Sequence, residues 1–371
     1  MTAHAGVLND GPAGSTRVSA LSTPTRHYPA LDGLRGIAAL AVVGYHVALY
    51  FKLPYAPAHA YLAVDFFFML SGYVIAHAYD TRLNRNMGLT AFLIIRLVRL
   101  YPLVVLGVGI GTIALLVGVN IVPGLTILDV LQAAAANIFL LPATSLLNIR
   151  PLAFPTDSPL WSLAFEIWIN VLYAATFRRL TRPVLIFSLL AGAALTSWTS
   201  LRYGSLNIGF TVAEFYLGSV RVLFPFVAGI LLSRLGSVRR GSCVWCQFAA
   251  IPLIAAFAGP DLSSGAYDAA AVIILFPMVV AAAAASSPAP WLDKIWGFLG
   301  AVSYPLYVLH FPFVVVLSNL THRRHITGIG LYAAAGVTML LTITIAIAAL
   351  YLYDQPVRRL LYRQLGRPAP A

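Results

Sequence analysis

Apolar runs long enough to cross a lipid bilayer recur along almost the whole of this chain. A membrane-spanning helix needs about 20 apolar residues. Candidates lie at 33–51, 60–79, 100–119, 126–142, 159–177, 183–201, 210–234, 244–259, 266–286, 295–318 and 327–352. Only 10% of the 371 residues are charged, against about 25% in a typical soluble domain. The chain is therefore read as an all-α polytopic membrane protein, without internal repeats or a separate soluble domain.

The net charge of +12 would suggest nucleic acid in a soluble protein. Here basic loops orient helices and sit against anionic headgroups instead, and no nucleic-acid partner is expected. Residues 1–27 are polar, rich in Gly, Ser, Thr and Pro, and lack the apolar core of a cleavable signal. They are expected to form a disordered cytoplasmic segment, followed by a transmembrane domain over 28–355 and a basic cytoplasmic tail over 356–371. Cys243 and Cys246 in "CVWC" lack the partners that a redox or metal site needs.

The positive-inside rule reduces the candidates to about ten. Arg82, Arg85, Arg96 and Arg99 place the loop after the second run, and hence the N-terminus, in the cytoplasm. If 126–142 crossed, both "RRLTR" (178–182) and "RLGSVRR" (234–240) would face outward. If it does not cross, both face inward, and so does the C-terminus. That segment also carries Asp129, Gln132 and Asn137. The expectation is ten spans with both termini cytoplasmic. One loop disobeys the rule: "THRRH" (321–325) falls outside.

Polar residues inside such runs are expensive and usually face a protein interior or cavity. In "LDGLRGIAALAVVGYH", Arg35 and His46 are eleven residues apart. At ~100° per residue they share a helix face, about 16 Å apart along the axis. Arg35 lies at the cytoplasmic mouth and His46 past the midplane. The second run holds Asp65 and the small pair Ser71-Gly72, which permits close helix approach. In "RLVRLYP", Arg96 and Arg99 share a face at i, i+3, suited to gripping phosphate, with Tyr101 beside them. "SPLWSLAFEIWINVLYA" carries Trp161, Ser162 and Glu166 on a helix that starts outside. Glu166 and His46 are thus expected at similar depth, where the acid could orient the imidazole. "SYPLYVLHFP" adds Tyr307 and His310.

These five motifs, in this order, resemble the acyltransferase-3 family of integral membrane O-acyltransferases that modify bacterial surface polysaccharides. The resemblance runs from Tyr28 to about Arg363. Where the family often reads "WSLAVEEQFY", this chain has "WSLAFEIWIN", with Ile167 in place of a second acid. The resemblance implies acyl-CoA, acetyl-CoA first among donors, on the cytoplasmic side of a bacterial inner membrane. It also implies a hydroxyl acceptor on a carbohydrate or lipid-linked glycan, and no metal. Donor phosphates would meet Arg35, Arg96 and Arg99. His46 would act as general base or transient acyl carrier, with Glu166 beside it. Asp65, Ser71, Gly72, Tyr101, Trp161, Ser162, Tyr307 and His310 would support the site or face the acceptor. A homodimer is admitted. A transporter or a non-catalytic sensor would use buried charges differently, and coenzyme A release separates these readings.

Overall fold

The computed structural model describes residues 28–119, 121–146, 148–236, 248–260, 265–286 and 289–366. The segment 1–27, Cys243 and Cys246, most of the basic loop after Arg234 and the last five residues lie outside that range. The described residues are helical throughout, apart from loops and one isolated bridge between Leu152 and Thr211.

The helices run α1 Pro29–Tyr50, α2 Ala63–Asn84, α3 Leu89–Gly118, α4 Ile127–Ile138, α5 Leu160–Thr176, α6 Arg182–Tyr203 and α7 Gly218–Leu235. The short α8 Ala250–Phe257 follows. Then α9 Ala266–Ala270 and α10 Phe276–Ala285 are joined by a π-helical turn, and α11 Pro290–Arg323 comes next. Last, α12 Ile329–Ala349 continues through a second π turn, Leu350–Asp354, into α13 Gln355–Gln364. Nine helices among the described residues are long and apolar enough to cross a membrane, counting α9–α10 and α12–α13 as one each. Side chains facing lipid need no partner, and α6 accordingly exposes Phe187, Leu190, Trp198 and Leu201.

Contacts between helix ends fix the path of the chain. At one end Arg234, closing α7, donates to Asp80 of α2 at 2.7 Å and to the Leu180 carbonyl ahead of α6 at 2.7 Å. At that same end Arg178 reaches Asn86, and Gly300 of α11 packs on Asp32 of α1. At the opposite end His322 of α11 bonds the Tyr50 carbonyl, and the His59 amide bonds the Phe257 carbonyl of α8. The chain thus passes from the first end at Leu235 to the second at Phe257. Of the run 244–259, α8 is the helix among the described residues. Both α1 and α12–α13 then have their outer termini at the first end, which carries most of the arginines.

Segment 126–142 forms only the twelve-residue α4. At ~1.5 Å per residue it is about 18 Å long, well short of a ~30 Å hydrocarbon core. Thr126 and Asp129 form a capping box at its start. Asn137 ties it to the following loop, donating to the Leu141 and Ala153 carbonyls and accepting from the Thr156 hydroxyl at 2.8 Å.

Two close helix pairs hold the site. In α1–α11, Gly33 lies under Trp296 and Gly36 under Leu299. In α2–α7, a β-carbon on Gly72 would sit 2.1 Å from the Phe226 carbonyl oxygen, and one on Gly229 2.1 Å from that of Met69. Both obstacles are backbone and cannot rotate away. Gly72→Val is expected to force α2 from α7 at a cost of about 1–3 kcal/mol or more. Thermal melting of the purified protein in detergent should show the loss, and an unchanged midpoint would mean that the pair is looser than this.

Candidate active site

Arg35 and His46 line two different cavities. The first, about 230 Å³, opens at the arginine-rich end and is lined by Arg35, Arg96, Arg99 and Arg358, with Ser71, Glu166 and Tyr304. The second, about 110 Å³, lies toward the opposite end and is lined by His46, Tyr45, Trp161, Asn207, Arg221 and Phe311. Val64 and Tyr307 border both. The Tyr307 hydroxyl lies 2.7 Å from that of Ser162, which lines the first cavity, so this pair stands where the two meet.

Helix α11 supplies the partners of both α1 residues. Arg35 donates to the Ser303 hydroxyl at 2.9 Å and the Gly300 carbonyl at 3.0 Å, and pairs with Asp32 at 2.8 Å. About two turns further along α11, His46 Nδ1 lies 2.9 Å from His310 Nε2, with the rings stacked at 5.0 Å. The tautomers follow from the hydrogen bonds. His310 Nδ1 faces the carbonyls of Leu306 and Tyr307 at 3.0 and 2.9 Å. A carbonyl only accepts, so His310 Nδ1 carries the proton and, in the neutral ring, its Nε2 accepts. His46 Nδ1 must then donate, which leaves the lone pair of His46 on Nε2. Among the described residues nothing hydrogen-bonds that nitrogen. This is the arrangement a proton acceptor requires: one ring nitrogen oriented by a partner, the other free.

The expected pairing of Glu166 with His46 does not occur. Glu166 Oε1 accepts from Arg96 at 2.9 Å and from the Ser71 hydroxyl at 2.9 Å. The reason is electrostatic. Arg96 is 6% exposed, and a buried guanidinium needs an anion. The long Arg96 side chain rises from α3 toward α5 and takes the carboxylate, while His46 faces α11. Glu166 therefore belongs to the basic cavity. Arg99 stays exposed and makes no ion pair among the described residues. Arg358 pairs with Asp354 at 2.5 Å within the cavity wall.

Asp65 stands behind the second chamber and does not line it. It is fully buried against Arg221, at 2.5 and 3.3 Å, and it is Arg221 that lines the His46 chamber. The guanidinium stacks on Trp161 at 5.0 Å. Tyr101 lies in neither cavity; its hydroxyl donates to the Ile138 carbonyl and anchors the end of α4. Gly72 lines neither cavity and packs against Phe226. Glu214, inside the apolar run 210–234, sits in the turn before α7, with Thr211. Among the lining residues that were missed are Arg221, Arg358 and Asn207. Arg221 was findable as a lone arginine in the apolar run "SVRVLFPFV", the same signal that marked Arg35. Arg358 looked like tail charge, and Asn207, which donates to Tyr45, gave no signal. Among the described residues no three His, Cys, Asp or Glu side chains gather as a metal site.

Comparison with known proteins now bears on this geometry. The model of an acyltransferase domain, that of the acyltransferase-3 family, matches residues 28–351. The chain belongs to the acyltransferase-3 family. Over 184 residues it is 34% identical to "Protein 2 in picA locus" of Rhizobium radiobacter, covering 47% of this chain and 94% of that protein. Over 324 residues it is 25% identical to the peptidoglycan O-acetyltransferase OatA of Listeria monocytogenes, covering 78% of this chain and 50% of that protein. This acyltransferase-3 chain thus spans about half the length of the Listeria relative. No solved structure matches it significantly. Membership makes the protein an integral membrane O-acyltransferase.

Proposed function

We propose that this chain transfers an acyl group, acetyl by analogy with the Listeria relative, from cytoplasmic acyl-CoA to a hydroxyl of an exported or surface carbohydrate. The observation that carries the reading is that one helix face presents Arg35 to a basic cavity and His46 to a second chamber beyond Tyr307. The arginine-rich end faces the cytoplasm under the positive-inside rule. Arg99, Arg358 and Arg35 receive the coenzyme A phosphates, and the thioester reaches the meeting point at Tyr307 and Ser162. The acceptor enters the chamber from outside. His46 Nε2 takes the hydroxyl proton as the oxygen attacks the thioester carbon. The tetrahedral intermediate then collapses, the carbon–sulfur bond breaks, and the thiolate leaves to be protonated. The same lone pair would serve a transient acyl-histidine.

The test is coenzyme A release from acetyl-CoA by the purified protein, stimulated by a carbohydrate hydroxyl. Correctly folded protein that releases none would overturn the reading. Glu166→Gln separates the observed placement from the expected one. If Glu166 orders Arg96 for the donor, KM for acetyl-CoA should rise about tenfold with kcat within about threefold, the pattern of lost ground-state binding. A fall in kcat near 10⁴-fold, the cost of removing an acid that orients a catalytic histidine, at unchanged KM would mean that Glu166 acts on His46 after all.

A further inference from the structure

A third cavity, about 270 Å³, opens between the second halves of α3 and α11 at the end away from the donor. Its walls are apolar, from Leu115 and Gly118 on α3 to Val315 and Val316 on α11. Its rim is not. Arg150 and Arg323 both line it, half-buried and exposed respectively, and neither makes an ion pair among the described residues. Both arginines lie on the side where the positive-inside rule disfavours them, and Arg323 belongs to the one loop whose charge topology did not explain. The cavity also adjoins the chamber of His46. Phe311 walls both, its ring edge-on to His46 at 5.4 Å. The loop before α5 is shared as well: Arg150 and Thr156 face the groove, Leu152 and Ser158 the chamber.

We infer that this groove binds a lipid phosphate carrying the acceptor sugar. The lipid chain lies between α3 and α11, the phosphate sits between Arg150 and Arg323, and the first sugar turns past Phe311 toward His46. The inference rests on the proposed transfer to a carbohydrate hydroxyl and deepens it. Three features favour this occupant. The walls are apolar along the groove, as a lipid chain requires. Guanidinium forks match phosphate oxygens in two-point contacts. The head ends beside the reacting histidine, so a chain anchored there delivers its first hydroxyls to the chamber at high effective concentration.

The test uses the full chain in phosphatidylcholine nanodiscs and a fluorescent long-chain polyprenyl monophosphate. The parent should bind it, and Arg150→Ala with Arg323→Ala should weaken binding at least tenfold. Ala114→Phe, which fills the groove and keeps both charges, should weaken it comparably. The exposed Arg323→Glu gives a third variant with little risk to folding, and variants are compared only where elution and melting match the parent. Unchanged affinity in all three overturns the inference. So does equal displacement by phosphatidylglycerol, which would make the groove a site for bulk anionic lipid, or by inorganic phosphate, which would make the chain irrelevant. Acetyl-CoA turnover is read separately on the parent. Lipid binding without any coenzyme A release would overturn the transferase reading and leave the groove standing.

Discussion

His46→Ala protein is expected to insert, fold and bind acyl-CoA like the parent, and to lose on the order of 10³–10⁴ of its transfer rate, near the upper range for general base catalysis. The separation follows from where His46 stands. Donor charges are met ~16 Å away along α1, in a cavity that His46 does not line. What the substitution removes is the Nε2 lone pair and the donor to His310. His310→Ala should act through the same nitrogen pair. It frees the His46 ring to turn and removes the acceptor that fixes its tautomer, so a smaller loss of kcat at unchanged donor KM is expected. The readout is transfer of labelled acetyl to a carbohydrate acceptor, alongside acyl-CoA binding. A packing role predicts the reverse, with lower stability and near-normal turnover per folded molecule. Folded His46→Ala transferring at the parental rate would end the mechanism.

The spans were legible because lipid imposes one simple demand, length in apolar residues, and that demand survives any packing. Segment 126–142 was legible as an exception for the same reason, since Asp129, Gln132 and Asn137 leave too little apolar run. Arg35 and His46 could be placed on one face because both lie on a single helix, where rotation per residue is fixed. Partners across helices were a different matter. Depth alone put Glu166 near His46, but depth ignores azimuth and side-chain reach. A long arginine on α3 and a serine on α2 claimed the carboxylate first. The sequence puts His310 in the right helix but does not reveal its partner, because nothing in a sequence states which way α11 faces α1. That is set by Gly33, Gly36 and Gly300, whose missing side chains let the two helices close together.

Arg221→Ala is expected to destabilise the protein by about 3–5 kcal/mol, as breaking one side of a buried ion pair generally does. Arg221 is 1% exposed and Asp65 0%. Its guanidinium answers the Asp65 carboxylate, the Ile208 carbonyl at 2.9 Å and the Tyr61 carbonyl at 3.1 Å. It thus ties α2, α7 and the loop after α6 together behind Trp161. Removing it strands a carboxylate and two carbonyls within the protein. The loss should appear as low yield and a melting midpoint several degrees down. The double substitution Asp65→Leu with Arg221→Met removes both charges and keeps most of the volume, so stability should largely return, since well-packed apolar side chains can replace a buried pair. Turnover of that double variant separates two roles. Arg221 also lines the chamber of His46, and among the described residues its guanidinium is the one Arg or Lys charge there. If the pair only holds the wall, the double variant should transfer acetyl at near the parental rate. If the charge also steadies the developing oxyanion, stability returns and kcat stays low. Failure of the double variant to regain stability would show that the helices are joined by the carbonyl contacts of Arg221, not by its ion pair.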